Sequence, residues 1–294
     1  MRLGTRWRRA AGGLAAGALL GLCGVVLAVG LTLSSPAPAE VGALPPELRG
    51  AEEVEIPSPS GSLLRGWWVP GRPGGGAVLL MHGIRENRLR MLPRASFLQE
   101  QGFSVLLFDL QAHGESPGRR ITFGKLEALD AAAALRFVRG RVPGEQLGAI
   151  GVSLGGAAAL LGPEPLGLDA LVLEAVYPEI DSALANRLRA RLGGGAAWVL
   201  APLFKLLLPP VLGVSPGELR PIDRIGLARG AVLVASGMAD DRTPLDEARA
   251  LFDHAREPKR FWAVPGAGHV DLERHDPVGY WRNVLPFLAA HLRG

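Results

Sequence analysis

Gly151-Val152-Ser153-Leu154-Gly155, set between the apolar run Leu147-Gly148-Ala149-Ile150 and the segment Gly156-Ala157-Ala158-Ala159-Leu160, decides how this chain of 294 residues folds. It reads as a buried strand, a tight turn carrying a serine, and a helix. A serine hydroxyl is a poor nucleophile unless a sharp turn exposes it to a base and to amide donors. Glycines two residues to either side provide the room, because a Cβ at either position would crowd the serine or the helix that follows. With 40 glycines in the chain the pattern recurs, as Gly213-Val214-Ser215-Pro216-Gly217. There the residue after the serine must donate its N–H to an oxyanion, and Pro216 has none to give. Ser215 is therefore expected in a loop without a catalytic part.

Outward from Ser153 the same grammar repeats. Apolar runs at Ala77–Met81, Ser104–Phe108, Gly148–Val152, Ala170–Glu174, Ala231–Ser236 and Phe261–Val264 alternate with helical patterns at Arg90–Gln101, Lys125–Arg139, Leu154–Leu161, Leu245–Ala255 and Pro277–His291. Alternation of this kind predicts a mostly parallel sheet covered by helices on both faces. Ahead of it, Val54–Ile56 and Leu63–Val69, joined by Pro57-Ser58-Pro59-Ser60-Gly61, predict an antiparallel hairpin at a sheet edge. One stretch breaks the rhythm. Between Glu174 and Ala231 the chain inserts a segment, centred on residues 177–220, whose part Ala196–Leu208 is too apolar for a solvated loop. It is expected to form a helical cap over the carboxyl edge of the sheet and to wall an apolar substrate pocket.

The formal charge of +4 sits at one end. Arg2, Arg6, Arg8 and Arg9 account for it, so the rest of the chain carries 32 − 4 = 28 basic against 28 acidic residues. A neutral body gives nucleic acid no electrostatic footprint, and none is expected as a partner. No charge occurs from Ala10 to Ala39, and Ala11–Leu33 is an apolar run of 23 residues, long enough as a helix to cross about 30 Å of hydrocarbon. Residues 1–33 are thus expected to be an uncleaved signal anchor, with the arginines cytoplasmic and the body periplasmic or extracellular. Cleavage near Ala37-Pro38-Ala39 would release a secreted form instead. Residues 34–50 read as a linker and 51–294 as the folded domain. The lone cysteine, Cys23, lies in the apolar run, so neither an intrachain disulfide nor a cysteine nucleophile is expected.

A serine nucleophile needs a base, an orienting acid and oxyanion donors. Asp240 and its neighbour Asp241 follow the strand Ala231–Ser236, and His269 follows Phe261–Val264. Ends of parallel strands on one sheet edge would bring these together with Ser153 across separations of 240 − 153 = 87 and 269 − 240 = 29 residues. The order Ser, Asp, His resembles that of the α/β-hydrolase superfamily, and more closely its membrane-anchored and serine aminopeptidase-like esterase branch, over roughly residues 52–292. His82-Gly83 after the strand Ala77–Met81 and Asp109-Leu110-Gln111-Ala112-His113-Gly114-Glu115-Ser116 after the next strand carry the resemblance further; Gln111 departs from it, standing where many relatives have arginine.

The resemblance implies an α/β-hydrolase fold and hydrolysis of an ester, thioester or amide through an acyl-enzyme, with Ser153, Asp240 and His269 catalytic. Spacing in relatives selects Asp240 over Asp241. The oxyanion would rest on the backbone N–H groups of Ile84 and Leu154. The partner is expected to be a small acyl substrate of apolar character, with no cofactor and no metal. Acyl transfer or peptide cleavage by the same three residues is the alternative chemistry, and a non-catalytic binding module the alternative outside enzymology. Asp271, Glu273 and Asp276 near His269 lack any metal-ligand spacing and read as solvated charges. His82 and His113 read as hydrogen-bonding loop anchors, and His254, His275 and His291 as surface histidines.

Overall fold

Each apolar run becomes a strand of one sheet: β1 (Glu52–Pro57), β2 (Leu63–Val69), β3 (Ala77–Met81), β4 (Ser104–Phe108), β5 (Leu147–Val152), β6 (Ala170–Glu174), β7 (Ala231–Gly237) and β8 (Lys259–Val264). The computed structural model, which describes residue 17 and residues 21–293, places these eight in the order β8-β7-β6-β5-β3-β4-β2-β1. β1 and β2 pair antiparallel, as does β2 with β4, and every other pairing is parallel. All five side chains of β3, β4 and β6 are buried, as strands covered on both faces must be. β1, at the edge, alternates exposed and buried, which is how its charged residues fit within a strand longer than Val54–Ile56.

Helices α1 (Gly21–Leu33), α2 (Leu92–Glu100), α3 (Glu127–Arg141), α4 (Leu154–Leu160), α5 (Ile180–Leu192), α6 (Gly194–Leu212), α7 (Ile222–Ile225), α8 (Leu245–His254), α9 (Leu272–His275) and α10 (Pro277–Leu292) surround the sheet. One apolar cluster joins α3 and α4 to one face through Ala131, Ala134, Ala157 and Leu79; the other joins α2 and α10 to the opposite face through Leu98, Tyr280, Leu288 and Leu80. Where Arg90–Gln101 was expected as one helix, a 3₁₀ turn, Arg88–Met91, precedes α2, and Pro93 fits the first turn, where its missing N–H has no intrahelical acceptor to lose.

The sheet order carries β3, β5, β6, β7 and β8 side by side with their carboxyl ends on one edge. The loops after them hold His82, Ser153, Asp240 and His269, and Glu174 ends β6. Residues 34–50, expected as a linker, instead dock on the domain. Ala37–Pro38 pairs in parallel with His113–Gly114, and Val41 and Leu48 are buried in the second cluster. Apolar side chains and prolines let this segment bury with no strand beyond that short pairing. Of the run expected as an anchor, residues 1–16 and 18–20 lie outside the described residues, and Gly21–Leu33 is helical.

Candidate active site

Ser153 sits between β5 and α4 at φ 47° and ψ −104°, a region that residues with a Cβ rarely enter. The glycines around it leave no freedom for anything larger. A Cβ on Gly151 would lie 2.6 Å from the Gly156 Cα, and one on Gly155 would lie 2.4 Å from the Met81 carbonyl oxygen of β3. The Ser153 N–H donates to the Glu174 carbonyl at 2.8 Å, which fixes the turn to the end of β6. α4 starts at Leu154, so the N–H of Leu154 belongs to a first turn with no intrahelical acceptor.

Asp240 follows β7, and its side chain is fully enclosed. Oδ1 accepts from the N–H groups of Arg242 and Thr243, both at 2.8 Å, and Oδ2 accepts from Nδ1–H of His269 at 2.9 Å. Three hydrogen bonds, two on Oδ1 and one on Oδ2, therefore hold the carboxylate in one orientation. With Nδ1 given to the carboxylate, Nε2 is the ring nitrogen left to exchange a proton with another group. Asp241 is exposed and makes no hydrogen bond to His269, whose Nδ1 is taken by Asp240. Ser153 and His269 line one cleft, shared with Gly83, Ile84, Val152, Ala175 and Val270 and with four charged residues, Glu86, Arg90, Arg242 and Asp271. No residue of α5 or α6 lines it, so the cap does not wall this cleft as expected. Ser215, on a 3₁₀ turn, spends its hydroxyl and N–H on the Glu218 carboxylate, away from the cleft.

The loop that carries Gly83 and Ile84 is pinned by His82. Its Nδ1–H donates to the Gly83 carbonyl at 2.8 Å and its Nε2 accepts from the N–H of Leu110 at 3.1 Å. Burial, reinforced by the neighbouring His113, holds the imidazole neutral by pushing its pKa down to about 3. His82 is thus a loop anchor, as its sequence context implied.

Asp271 differs from expectation. It is buried, not solvated, and belongs to an ionic network that sequence reading missed. Arg94 on α2 donates from Nη2 to Glu174 Oε2 and to Asp271 Oδ1, both at 2.8 Å, and from Nε to the Tyr280 hydroxyl at 3.1 Å. Tyr280 in turn donates to Glu174. Burial pushes the Glu174 carboxyl up, partly opposed by Arg94, whereas for Asp271 the hydrogen bond and charge of Arg94 outweigh burial and hold the carboxyl down. Asp271 Oδ1 also caps α9 by accepting from Glu273 and Arg274 N–H groups. Arg90 bridges Asp271 to Glu86, whose Oε2 accepts from the Gly83 N–H at 3.0 Å. One chain of contacts thereby links the Gly83 loop, the His269 loop and, through Glu174, the N–H of Ser153. A carboxylate closing the otherwise apolar Ala170-Leu171-Val172-Leu173-Glu174 was its one sequence signal.

Residues 73–218 match the family profile described as serine aminopeptidase, S33, a span that holds Ser153 and the cap and stops before Asp240 and His269. An uncharacterized protein of Mycobacterium tuberculosis is 32% identical over 247 residues, covering 83% of this chain and 79% of its own. The uncharacterized protein YfhR of Escherichia coli is 28% identical over 259 residues, with 84% of each chain covered. Among solved structures, an esterase of Pyrococcus furiosus superposes with a TM-score of 0.72 at 23% identity, over 88% of this chain and 98% of its own.

Proposed function

Because the chain belongs to the α/β-hydrolase superfamily of serine hydrolases, we propose that it cleaves a carboxylic ester through Ser153, His269 and Asp240 by way of an acyl-enzyme. The observation that carries this reading is the pair His269–Asp240, tautomerically fixed at 2.9 Å, in the same cleft as a serine held at φ 47°. In the proposed reaction Nε2 of His269 takes the Ser153 proton as Oγ attacks the ester carbonyl, then returns it to the departing alcohol. Water repeats the sequence on the acyl-enzyme and releases the acid. Asp240 stabilises the imidazolium formed in each half. The developing oxyanion rests on the N–H groups of Ile84 and Leu154, at roughly 3 kcal/mol per donor in the transition state. An ester is preferred because the structural neighbour in Pyrococcus furiosus is an esterase.

The test is labelling of the full chain by a fluorophosphonate, with the modified peptide located by mass spectrometry. Label on Ser153, absent from Ser153→Ala and retained by Ser215→Ala, is the expected outcome. Equal loss from both variants, or label elsewhere, overturns the assignment.

The apolar run Ala11–Leu33 behind four arginines supports a second part of the reading, single-pass anchoring with the hydrolase domain on the outer side of the membrane. Val25 on α1 is 61% exposed, so a polarity-sensitive probe there in vesicles reports hydrocarbon or water directly.

A further inference from the structure

We infer that the outward face of the cap helix α6 docks on an anionic lipid bilayer, so that the cap lies in the membrane interface beside α1. α6 is nineteen residues long with a single charge, Lys205, and a mean hydropathy of 1.6 over its most apolar window, yet only Ala197, Phe204 and Leu208 are buried. A helix apolar on all sides is ordinarily enclosed on all sides. Here Trp198, Val199, Pro202, Leu206 and Pro209, at helical spacing along one stripe, face outward. Trp198 is 82% and Leu206 70% exposed. The one charge on that stripe, Lys205, is drawn aside to Asp181 of α5.

Three features identify the cover as lipid. α1, the end of the run read as an anchor, lies against α6, where Gly30 and Leu33 share a cavity with Phe204, Leu207 and Val211. Arg189, at the end of α5, lines a groove with Trp198; neither it nor Arg191 has a carboxylate partner within ion-pair distance among the described residues. Arg189 donates to the neutral Asn186 Oδ1 at 2.7 Å and keeps its positive charge uncompensated beside an exposed tryptophan, which matches the level of lipid phosphates. Lastly, α6 lies on a membrane and does not cross it. A crossing helix of nineteen residues would set its ends about 28 Å apart on opposite sides. Both ends of α6 return to one domain, through Gly193 from α5 and through Val214, which is buried in the core.

The inference goes beyond the hydrolase reading and shares only α1 with the anchor reading. Its test uses the full chain carrying Cys23→Ser, with single cysteines from Trp198→Cys, Leu206→Cys, Val25→Cys and, on α10, Val278→Cys as control. Each is labelled with an environment-sensitive fluorophore in phosphatidylcholine vesicles with or without phosphatidylglycerol, and fluorophosphonate labelling confirms that each variant is folded. Probes at 198 and 206 should shift to the blue and be quenched at least about twofold by lipids with nitroxides on their acyl chains, more so with phosphatidylglycerol, while the probe at 278 stays water-like. Water-like emission at 198 and 206 overturns the inference; if the probe at 25 is then quenched, the anchor stands without it. Quenching at 198 and 206 but not at 25 supports the cap and removes the anchor. A blue shift at 198 and 206 without quenching by the nitroxide lipids means that protein, such as a second copy of the chain, covers the face, and overturns the lipid assignment.

Discussion

At the scale of single residues, the backbone of Ser153 is the costly feature. A non-glycine residue at φ 47° stores about 1–3 kcal/mol of strain, which persists because Gly151, Gly155 and the hydrogen bond to Glu174 allow no relaxed alternative. The same turn was legible in the sequence, since its glycines answer a steric demand that few other turns make. The choice between Asp240 and Asp241 was not legible from strand order alone, because adjacent residues follow the same strand; resemblance selected Asp240, and the geometry shows it bonded to His269. Asp240→Asn should therefore lower kcat for p-nitrophenyl ester hydrolysis by a factor of order ~10⁴, as the amide favours the wrong tautomer. Asp241→Asn, a surface change, should leave kcat within about twofold. Steady-state kinetics of the two variants separate them, and the reverse order of damage would move the acid to Asp241.

Among elements, what holds the catalytic loops in register is the set of side chains that periodicity could not reveal. Arg94 on α2 meets Glu174 and Asp271 across 80 and 177 positions, and nothing local in the sequence announces such a meeting. The elements themselves were readable because the burial of whole strands imposes continuous apolar runs. The apolar helix of the cap was readable too, but not its outward exposure, since hydropathy reports what a surface prefers and not what lies against it. Arg94→Met keeps the bulk and removes the charge, leaving Glu174 and Asp271 enclosed without their partner. Breaking a buried pair in this way costs about 3–5 kcal/mol. Urea unfolding of Arg94→Met should show a loss of that order, and Arg94→Met combined with Glu174→Gln should recover part of it, because the second change removes a carboxylate that the first left unpaired. A double variant as unstable as the sum of its single changes would mean that the two side chains do not share an interaction.

For the whole molecule, stability against pH sums groups of opposite sign. Burial pushes the Asp130 carboxyl up to about 7 from its ordinary 3.8, against hydrogen bonds from Ser58 Oγ at 2.6 Å and the Gln111 N–H at 2.8 Å, and it raises Asp109 and Glu174 as well. Between about pH 4 and 7 the folded Asp130 then holds a proton that the unfolded chain has released, so this group makes stability fall as pH rises through that window, and Asp109 and Glu174 act in the same sense. His82 acts in the opposite sense. Its folded pKa is lowered to about 3, so as pH falls below about 6.5 the unfolded chain takes up the proton first and stability falls with it. The slopes of Asp130 and His82 oppose each other near pH 5 to 6, and above about pH 6.5 that of His82 is gone while that of Asp130 persists to about pH 7. Asp130→Asn deletes one titration and keeps an acceptor for Ser58 or Gln111. Its unfolding free energy relative to the parent should accordingly climb between about pH 4 and 7, at up to about 1.4 kcal/mol per pH unit and roughly 4 kcal/mol in all. Urea unfolding of both proteins at steps across that range measures the difference. A difference that does not vary with pH would place the Asp130 carboxyl at its ordinary pKa, and the enclosed cluster of Ser58, Gln111 and Asp130 would then hold a full negative charge without strain.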